Sequence, residues 1–154
     1  MLTSDGPKVI EYNSRFGDPE TQVVLPLLSS DLLNIMVAVR AGKLDRAKVK
    51  FLDSSSACVV MASGGYPGSY EKGKIIRGLD EAARYGTIYH AGTQKRSDGS
   101  YATSGGRVLC VSSLGRSLKQ ALRNCYKGIG VIRFEGAFFR KDIGSKDAAL
   151  VREE

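Results

Sequence analysis

The amino-terminal part of the chain begins with strand-like spacing of its apolar residues. After a turn signal at Ser4-Asp5-Gly6, residues 8–13 carry side chains that favour extended structure and predict a strand. Residues 19–25 predict a short helix that Pro26 interrupts, because proline cannot continue the hydrogen-bond ladder of a helix.

A second helix is predicted over residues 31–41, with Ser30 as its cap and Gly42 as its end. Its apolar residues recur at helical spacing, namely Leu32, Leu33, Ile35, Met36 and Val39. This spacing predicts that the helix packs into a core as scaffolding.

From residue 57 onward the pattern becomes β-rich. Short apolar runs at 58–61, 87–89 and 107–111 predict strands, and glycine-rich turns at 64–65, 98–99 and 105–106 separate them. Helices are predicted near 80–84 and over 117–126, and the second has an apolar face formed by Leu118, Ala121, Leu122 and Cys125. Strands with helices laid against them indicate an α+β fold.

Composition limits the class of protein. A chain of 154 residues with 42% hydrophobic and 25% charged residues can form one ordinary domain, or a small domain with an appendage. The sequence has no apolar run of 18 residues and no visible secretory signal, so a cytoplasmic protein without a membrane partner is expected.

The formal net charge of +7 raises the question whether the protein binds nucleic acid. The basic residues are scattered and mixed with acidic ones, without aromatic residues between them, so no nucleic-acid partner is expected. A field that attracts small anions is the milder interpretation.

The cysteine and histidine content gives little metal-binding capacity. Cys58, Cys110 and Cys125 are widely spaced and odd in number, so buried free thiols are predicted. With one histidine, His90, and no pair of closely spaced cysteines, an ordinary zinc site is not expected.

The residues with the clearest chemistry lie near the start of the chain. Glu11, Asn13 and Arg15 are two apart, so in a strand all three side chains leave from one face. A carboxylate beside an amide oxygen suits a hard cation, and the guanidinium suits an anion. The alternative is the solvated face of an ordinary edge strand. The following Asp18 and Glu20 favour a helix start, as an N-cap and as a negative charge in the first turn.

The string from Glu11 to Gln22 closely resembles the signature of the phosphoribosylamine–glycine ligases, enzymes of the ATP-grasp class. Four later segments resemble further motifs of that family in the same order: 60–68, 90–93, 105–109 and 139–144. The resemblance extends from Met1 to about Gly144. It implies the end of an ATP-grasp domain at 1–43, a linker at 44–56, a small α+β domain at 57–144 and a polar tail at 145–154.

The resemblance also implies an activity, the ATP-dependent joining of glycine to 5-phosphoribosylamine through an acyl phosphate in de novo purine biosynthesis. It implies that Glu11 and Asn13 bind Mg²⁺ or Mn²⁺ against the ATP phosphates. Arg15 would contact the nucleotide or the transferring phosphoryl group. Asp18 and Glu20 would orient this arginine or the substrate amine as further catalytic residues, although helix capping explains them equally well.

In that family these motifs occupy the last third of a longer polypeptide, so the chain is expected to be a carboxy-terminal piece. Its partner would be the missing amino-terminal part, and the isolated chain would have negligible activity. Alternatives are a non-catalytic partner that docks on a ligase subunit, and a carboxylating ATP-grasp relative.

Other motif residues keep two interpretations. The glycines at 64–68 form either a phosphate cradle or a tight turn between strands. His90 either contacts substrate or has a structural role. Arg107, which follows two glycines, is a candidate contact to the substrate phosphate.

Overall fold

The computed structural model describes residues 1–145, so the predicted tail at 145–154 lies, apart from Ser145, outside the described residues. The chain opens with a hairpin of β1 (Leu2–Thr3) and β2 (Gly6–Pro7) around the predicted turn. The prediction of a strand over residues 8–13 is wrong, because these residues form no regular element. A strand needs a hydrogen-bonded neighbour, and the described residues pair no strand with this segment.

The first helix is shorter than predicted. Helix α1 covers Thr21–Val24 and continues as a 3₁₀ turn over Leu25–Leu27, which contains Pro26. Asp18 is not the N-cap, since Glu20 precedes the helix and provides no side-chain cap. The Gly17 carbonyl instead accepts hydrogen bonds from the Thr21 amide, at 3.1 Å, and from the Thr21 hydroxyl, at 2.6 Å.

Helix α2 (Leu32–Arg40) is present, but its predicted cap and its burial are wrong. Asp31 caps the helix by accepting a 2.8 Å hydrogen bond from the Asn34 amide, while Ser30 bonds to the backbone of Lys48 and Lys50. None of the helix is buried, and the side chain of Leu33 is 68% exposed. Among residues 1–145 the main contacts of the helix are with the 3₁₀ turn that follows it, and most of its apolar side chains stay exposed.

The segment predicted as a linker has its own contacts. A 3₁₀ turn covers Leu44–Arg46, and Phe51 forms an antiparallel bridge with Leu28. The Leu52 amide donates to the Leu27 carbonyl at 2.7 Å. The segment therefore folds back along the residues that precede α2.

A four-stranded antiparallel sheet forms the centre of the second region, in the order β5–β8–β3–β9. The bounds are β3 Ser55–Ser63, β5 Thr87–His90, β8 Arg107–Gly115 and β9 Ala137–Phe139. Helix α4 (Leu118–Val131) packs across β3 and β8, and Ser117 accepts a hydrogen bond from the Gln120 amide as its cap. The predicted apolar face of α4 is confirmed as part of the core or packed against it.

A second sheet has three short strands in the order β4–β7–β6. These are β4 (Ile75–Ile76), β6 (Thr93–Lys95) and β7 (Tyr101–Thr103), and helix α3 covers Leu79–Ala82. The α+β class and the three longer strands are confirmed. Strands β4, β6, β7 and β9 were not predicted, since runs of two or three residues carry no readable periodicity.

All three cysteines are buried free thiols, as predicted. The Cys125 thiol, on α4, donates to the Ala57 carbonyl of strand β3 at 3.0 Å. Burial raises the pKa of this thiol. A hydrogen bond with Cys110 and then burial raise the pKa of Cys58. Among residues 1–145 no helix is long and apolar enough to span a membrane.

Candidate functional site

Glu11 and Asn13 lie together on an exposed, irregular segment. The Asn13 amide nitrogen contacts a Glu11 carboxylate oxygen at 3.4 Å, so the predicted pair of oxygen donors is adjacent. Arg15 follows, but its guanidinium donates to the Phe16 carbonyl at 3.1 Å rather than joining that pair. We call residues 11–16 the signature arm.

The arm does not form a complete metal site with the other described residues. Within residues 1–145 no three His, Cys, Asp or Glu side chains cluster in a way that could hold a metal ion. Magnesium is commonly bound by one or two carboxylates, with substrate phosphates and waters supplying the other ligands. Glu11 and Asn13 carry oxygen atoms of the kind that such a site uses, and further ligands would have to come from outside the arm.

Asp18, just beyond the arm, is held by several partners. Arg107 donates to the Asp18 carbonyl at 3.0 Å, and its second terminal nitrogen lies 3.3 Å from carboxylate oxygen Oδ2. The side-chain nitrogen of Gln22, Nε2, donates to the other carboxylate oxygen of Asp18 at 2.7 Å. The Ser112 hydroxyl donates to the Gln22 carbonyl at 2.6 Å. These contacts attach α1 to strand β8.

Glu20, the third predicted catalytic residue, is exposed and folds over Gly17. A Cβ atom at residue 17 would collide with the Glu20 carboxylate. The side chain therefore closes the turn before α1 and does not lie with Asp18 on Arg107.

A groove of about 360 Å³ runs between α1 and strand β5. Asp18, Gln22 and His90 line it, and the Gln22 side-chain oxygen is buried without a hydrogen-bond partner. His90 bonds to the Thr93 hydroxyl at 2.9 Å and stacks on Tyr101 at 4.6 Å between ring centres. Both contacts order the imidazole from within the small domain.

The glycine-rich motifs meet at the end of the sheet next to Arg107. The Tyr66 ring lies over Gly106, where any side chain would overlap the ring. Gly92 and Gly105 approach so closely that a Cβ on Gly92 would lie 2.5 Å from the Gly105 Cα. The Tyr66 amide donates to the Ser63 carbonyl, so residues 64–68 begin as a turn after β3.

Sequence reasoning missed two residues of this site, Gln22 and Ser112. Gln22 belongs to the signature string, but its partner Ser112 is 90 residues away in the chain. Ser112 lies in an apolar run that predicts only a strand, so no local signal indicates its contact.

The chain is similar to proteins of one known family. The family model described as "Phosphoribosylglycinamide synthetase, C domain" matches residues 56–146. The chain is 51% identical over 145 residues to a phosphoribosylamine–glycine ligase of Caldanaerobacter subterraneus subsp. tengcongensis, covering 94% of this chain and 34% of the relative.

Two further comparisons agree. The trifunctional purine biosynthetic protein adenosine-3 of Gallus gallus is 49% identical over 155 residues, covering 99% of this chain and 15% of the relative. The crystal structure of phosphoribosylamine–glycine ligase from Thermotoga maritima superposes with a TM-score of 0.71 at 34% identity. That match covers 92% of this chain and 34% of the solved chain.

The fold and the matched segments are those of the C-terminal domain of proteins that are named as a ligase and as a purine biosynthetic protein. The chain spans about a third of the length of the single-function ligases that it matches. It belongs to the phosphoribosylglycinamide synthetase family, and residues 56–146 are the C domain of that family.

Proposed function

We propose that this chain forms the carboxy-terminal third of a phosphoribosylamine–glycine ligase. The observation that carries the proposal is the 51% identity to such a ligase over 94% of the chain, which includes the signature arm and the small domain. The reaction would join glycine to 5-phosphoribosylamine at the expense of ATP in the cytoplasm, as a step of de novo purine biosynthesis.

The chemistry needs two steps. The glycine carboxylate attacks the terminal phosphorus of ATP, which gives an acyl phosphate and ADP. The amine of the sugar then attacks the acyl carbon, the amide bond forms, inorganic phosphate leaves with the bonding electrons, and the amine nitrogen releases a proton to solvent. The protein contributes mainly orientation and neutralisation of charge.

The signature arm has groups suited to this work. Glu11 and Asn13 would hold Mg²⁺ or Mn²⁺, which supplies positive charge against the ATP phosphates when bound. Arg15 would neutralise charge on the transferring phosphoryl group or the acyl phosphate, and Asp18 and Glu20 would order the turn beside it. The Arg15 side chain is exposed and, among the contacts described, bonds only to the neighbouring Phe16 carbonyl, so it can turn towards a ligand.

The rest of the nucleotide site would come from a polypeptide part outside this chain. Helix α2 supports this, because four of its large apolar side chains are exposed, as they would be where another layer of structure covers them: Leu33, Met36, Val37 and Val39. We propose that residues 1–43 are the end of an ATP-grasp domain whose other elements cover this face. The isolated chain is then expected to have negligible activity.

A chimera tests the proposal. The chain replaces the matching third of the Caldanaerobacter ligase, and ADP release is measured with ATP, glycine and 5-phosphoribosylamine. We expect turnover that needs both substrates, loss of turnover in Glu11→Ala, and no measurable turnover by the chain alone. Unchanged turnover in Glu11→Ala would remove the metal assignment, and an inactive but folded chimera would argue against the ligase function.

A second experiment distinguishes the ligase from the alternative, a non-catalytic partner that docks on a ligase subunit. The chain is mixed with the remaining two-thirds of the Caldanaerobacter ligase, and complex formation and ADP release are measured together. A stable complex without turnover favours a docking partner, whereas restored turnover favours the enzyme. Val37→Glu should prevent the complex, while the exposed control Lys127→Glu should not.

A further inference from the structure

Arg107 joins two parts of the chain that lie 89 residues apart. One guanidinium contacts both the Asp18 carbonyl, at 3.0 Å, and the Asp18 carboxylate, at 3.3 Å. A planar guanidinium presents its hydrogens in a fixed geometry, so two contacts restrict Asp18 in orientation as well as in distance. The Asp18–Arg107 pair is thus a geometric link between the small domain and the residue that follows the signature arm.

A β-bulge gives Arg107 its direction. Met61 pairs with Leu109 but the next residue, Ala62, pairs with Arg107, so Val108 is an extra residue in strand β8. Val108 and Leu109 are both buried in the core. The bulge therefore shifts the alternation of side chains, and Arg107 leaves the sheet on the face towards α1, as Ser112 does.

The link acts mainly by position. Each of the two side chains is a little under half exposed, at 44% for Arg107 and 43% for Asp18, so solvent screens the attraction between their charges. Asp18 is nevertheless fixed through three of its atoms, since Gln22 holds the carboxylate oxygen that Arg107 does not contact. Only two residues separate Asp18 from Arg15, so the position of Asp18 restricts where the carboxy-terminal end of the arm can lie.

We propose that Arg107 is a positioning residue for the ligase reaction, acting through Asp18 to set the place of Arg15 and of the metal-binding pair. This inference rests on the proposed function. It differs from a role as a contact to the substrate phosphate, because Arg107 acts here through a protein carboxylate and carbonyl rather than by touching a ligand.

The first experiment uses the chain itself and does not depend on activity. Amide hydrogen exchange is measured at Thr21–Val24 in the unchanged chain and in Arg107→Ala, Arg107→Lys and Asp18→Asn. We expect about tenfold faster exchange in Arg107→Ala, smaller increases in the other two, and none in the control Arg123→Ala on the exposed side of α4. Unchanged exchange in Arg107→Ala would overturn the link.

The second experiment separates positioning from mere stability and from substrate binding. In the ligase chimera, Arg107→Ala should lower kcat by about 10- to 100-fold with little change in the KM for ATP, since small misplacements of reacting groups are costly. Arg107→Lys, and guanidinium ion added to Arg107→Ala, should restore part of kcat. A raised KM for 5-phosphoribosylamine with unchanged kcat would mean that Arg107 touches substrate, and unchanged kinetics would also overturn the proposal.

The two proposals fail in different ways. If the unmodified chimera has no turnover, the proposed ligase function fails. The exchange measurement then still decides whether Arg107 holds α1 on the sheet.

Discussion

Residues 1–54 and 55–145 of this chain differ in how they are stabilised. Every buried side chain among the described residues belongs to the second region, where α4 covers the sheet. The first region consists of a hairpin, the signature arm and two helices, held by backbone contacts and by the links to β8. The buried core therefore lies in the second region, and the signature arm lies outside it.

The exposed first region is informative because its sequence is not that of a disordered segment. Helix α2 has apolar residues at proper spacing, an aspartate cap and a glycine, Gly42, in the left-handed conformation just beyond its end. Such a helix normally packs against another layer of structure. The local sequence signals for helices are therefore similar in the two regions. The regions differ in whether the described residues include a layer that covers the apolar face of the helix.

The largest expected effect tests where stability resides. Leu109→Ala empties a fully buried site between the sheet and α4 and should lower the free energy of unfolding by about 2–5 kcal/mol. The matched control Leu33→Ala changes an exposed leucine of α2 and should cost no more than about 0.5 kcal/mol. Urea unfolding measures both. Equal losses would show that α2 is packed in solution and would break the comparison.

An intermediate effect compares two helix caps. Ser117→Ala removes the cap of α4 and should lower the free energy of global unfolding by about 1 kcal/mol. Asp31→Ala removes the cap of α2. It should leave the urea midpoint unchanged while it speeds hydrogen exchange within Leu32–Arg40. A shifted midpoint in Asp31→Ala would indicate that the two regions unfold together.

The smallest expected effect concerns a surface ion cluster of the second region. The Lys74 ammonium lies 2.7 Å from Glu71 and 3.0 Å from Glu135, and it holds the pKa of Glu71 below its usual range. The contribution of Glu71 to stability is therefore present above the unfolded pKa and is lost as pH falls through the folded value. Lys74, whose pKa is raised chiefly by Glu71, contributes below its unfolded pKa and loses that contribution as pH rises through the folded value.

Carbon-13 NMR titration checks this cluster. Lys74→Gln should return the pKa of Glu71 towards its usual range. The pKa of Asp98, lowered by hydrogen bonds from Ser100, should not respond and is the internal control. A pKa of Glu71 that stays low in Lys74→Gln would contradict the assigned cause.

Much of the second region could be predicted from sequence. Short runs of strand-forming residues at 58–61, 87–89 and 107–111 located the strands β3, β5 and β8, and the helical spacing of Leu118, Ala121 and Cys125 located α4. The prediction for residues 8–13 failed because β-propensity describes a side chain on a paired strand, and pairing depends on a partner. The membership in the family, first indicated by the signature string, is confirmed.

The sequence by itself contains the signature string that first indicated the family, while the roles of Glu11, Asn13 and Arg15 stay predictions. It also determined the class of fold, because periodicity is a local property. Only the tertiary structure decided that Arg107 faces Asp18, that a bulge at Val108 turns it there, and that α2 is exposed. These depend on sheet register and on layer packing, which join residues far apart in the chain and leave no local pattern.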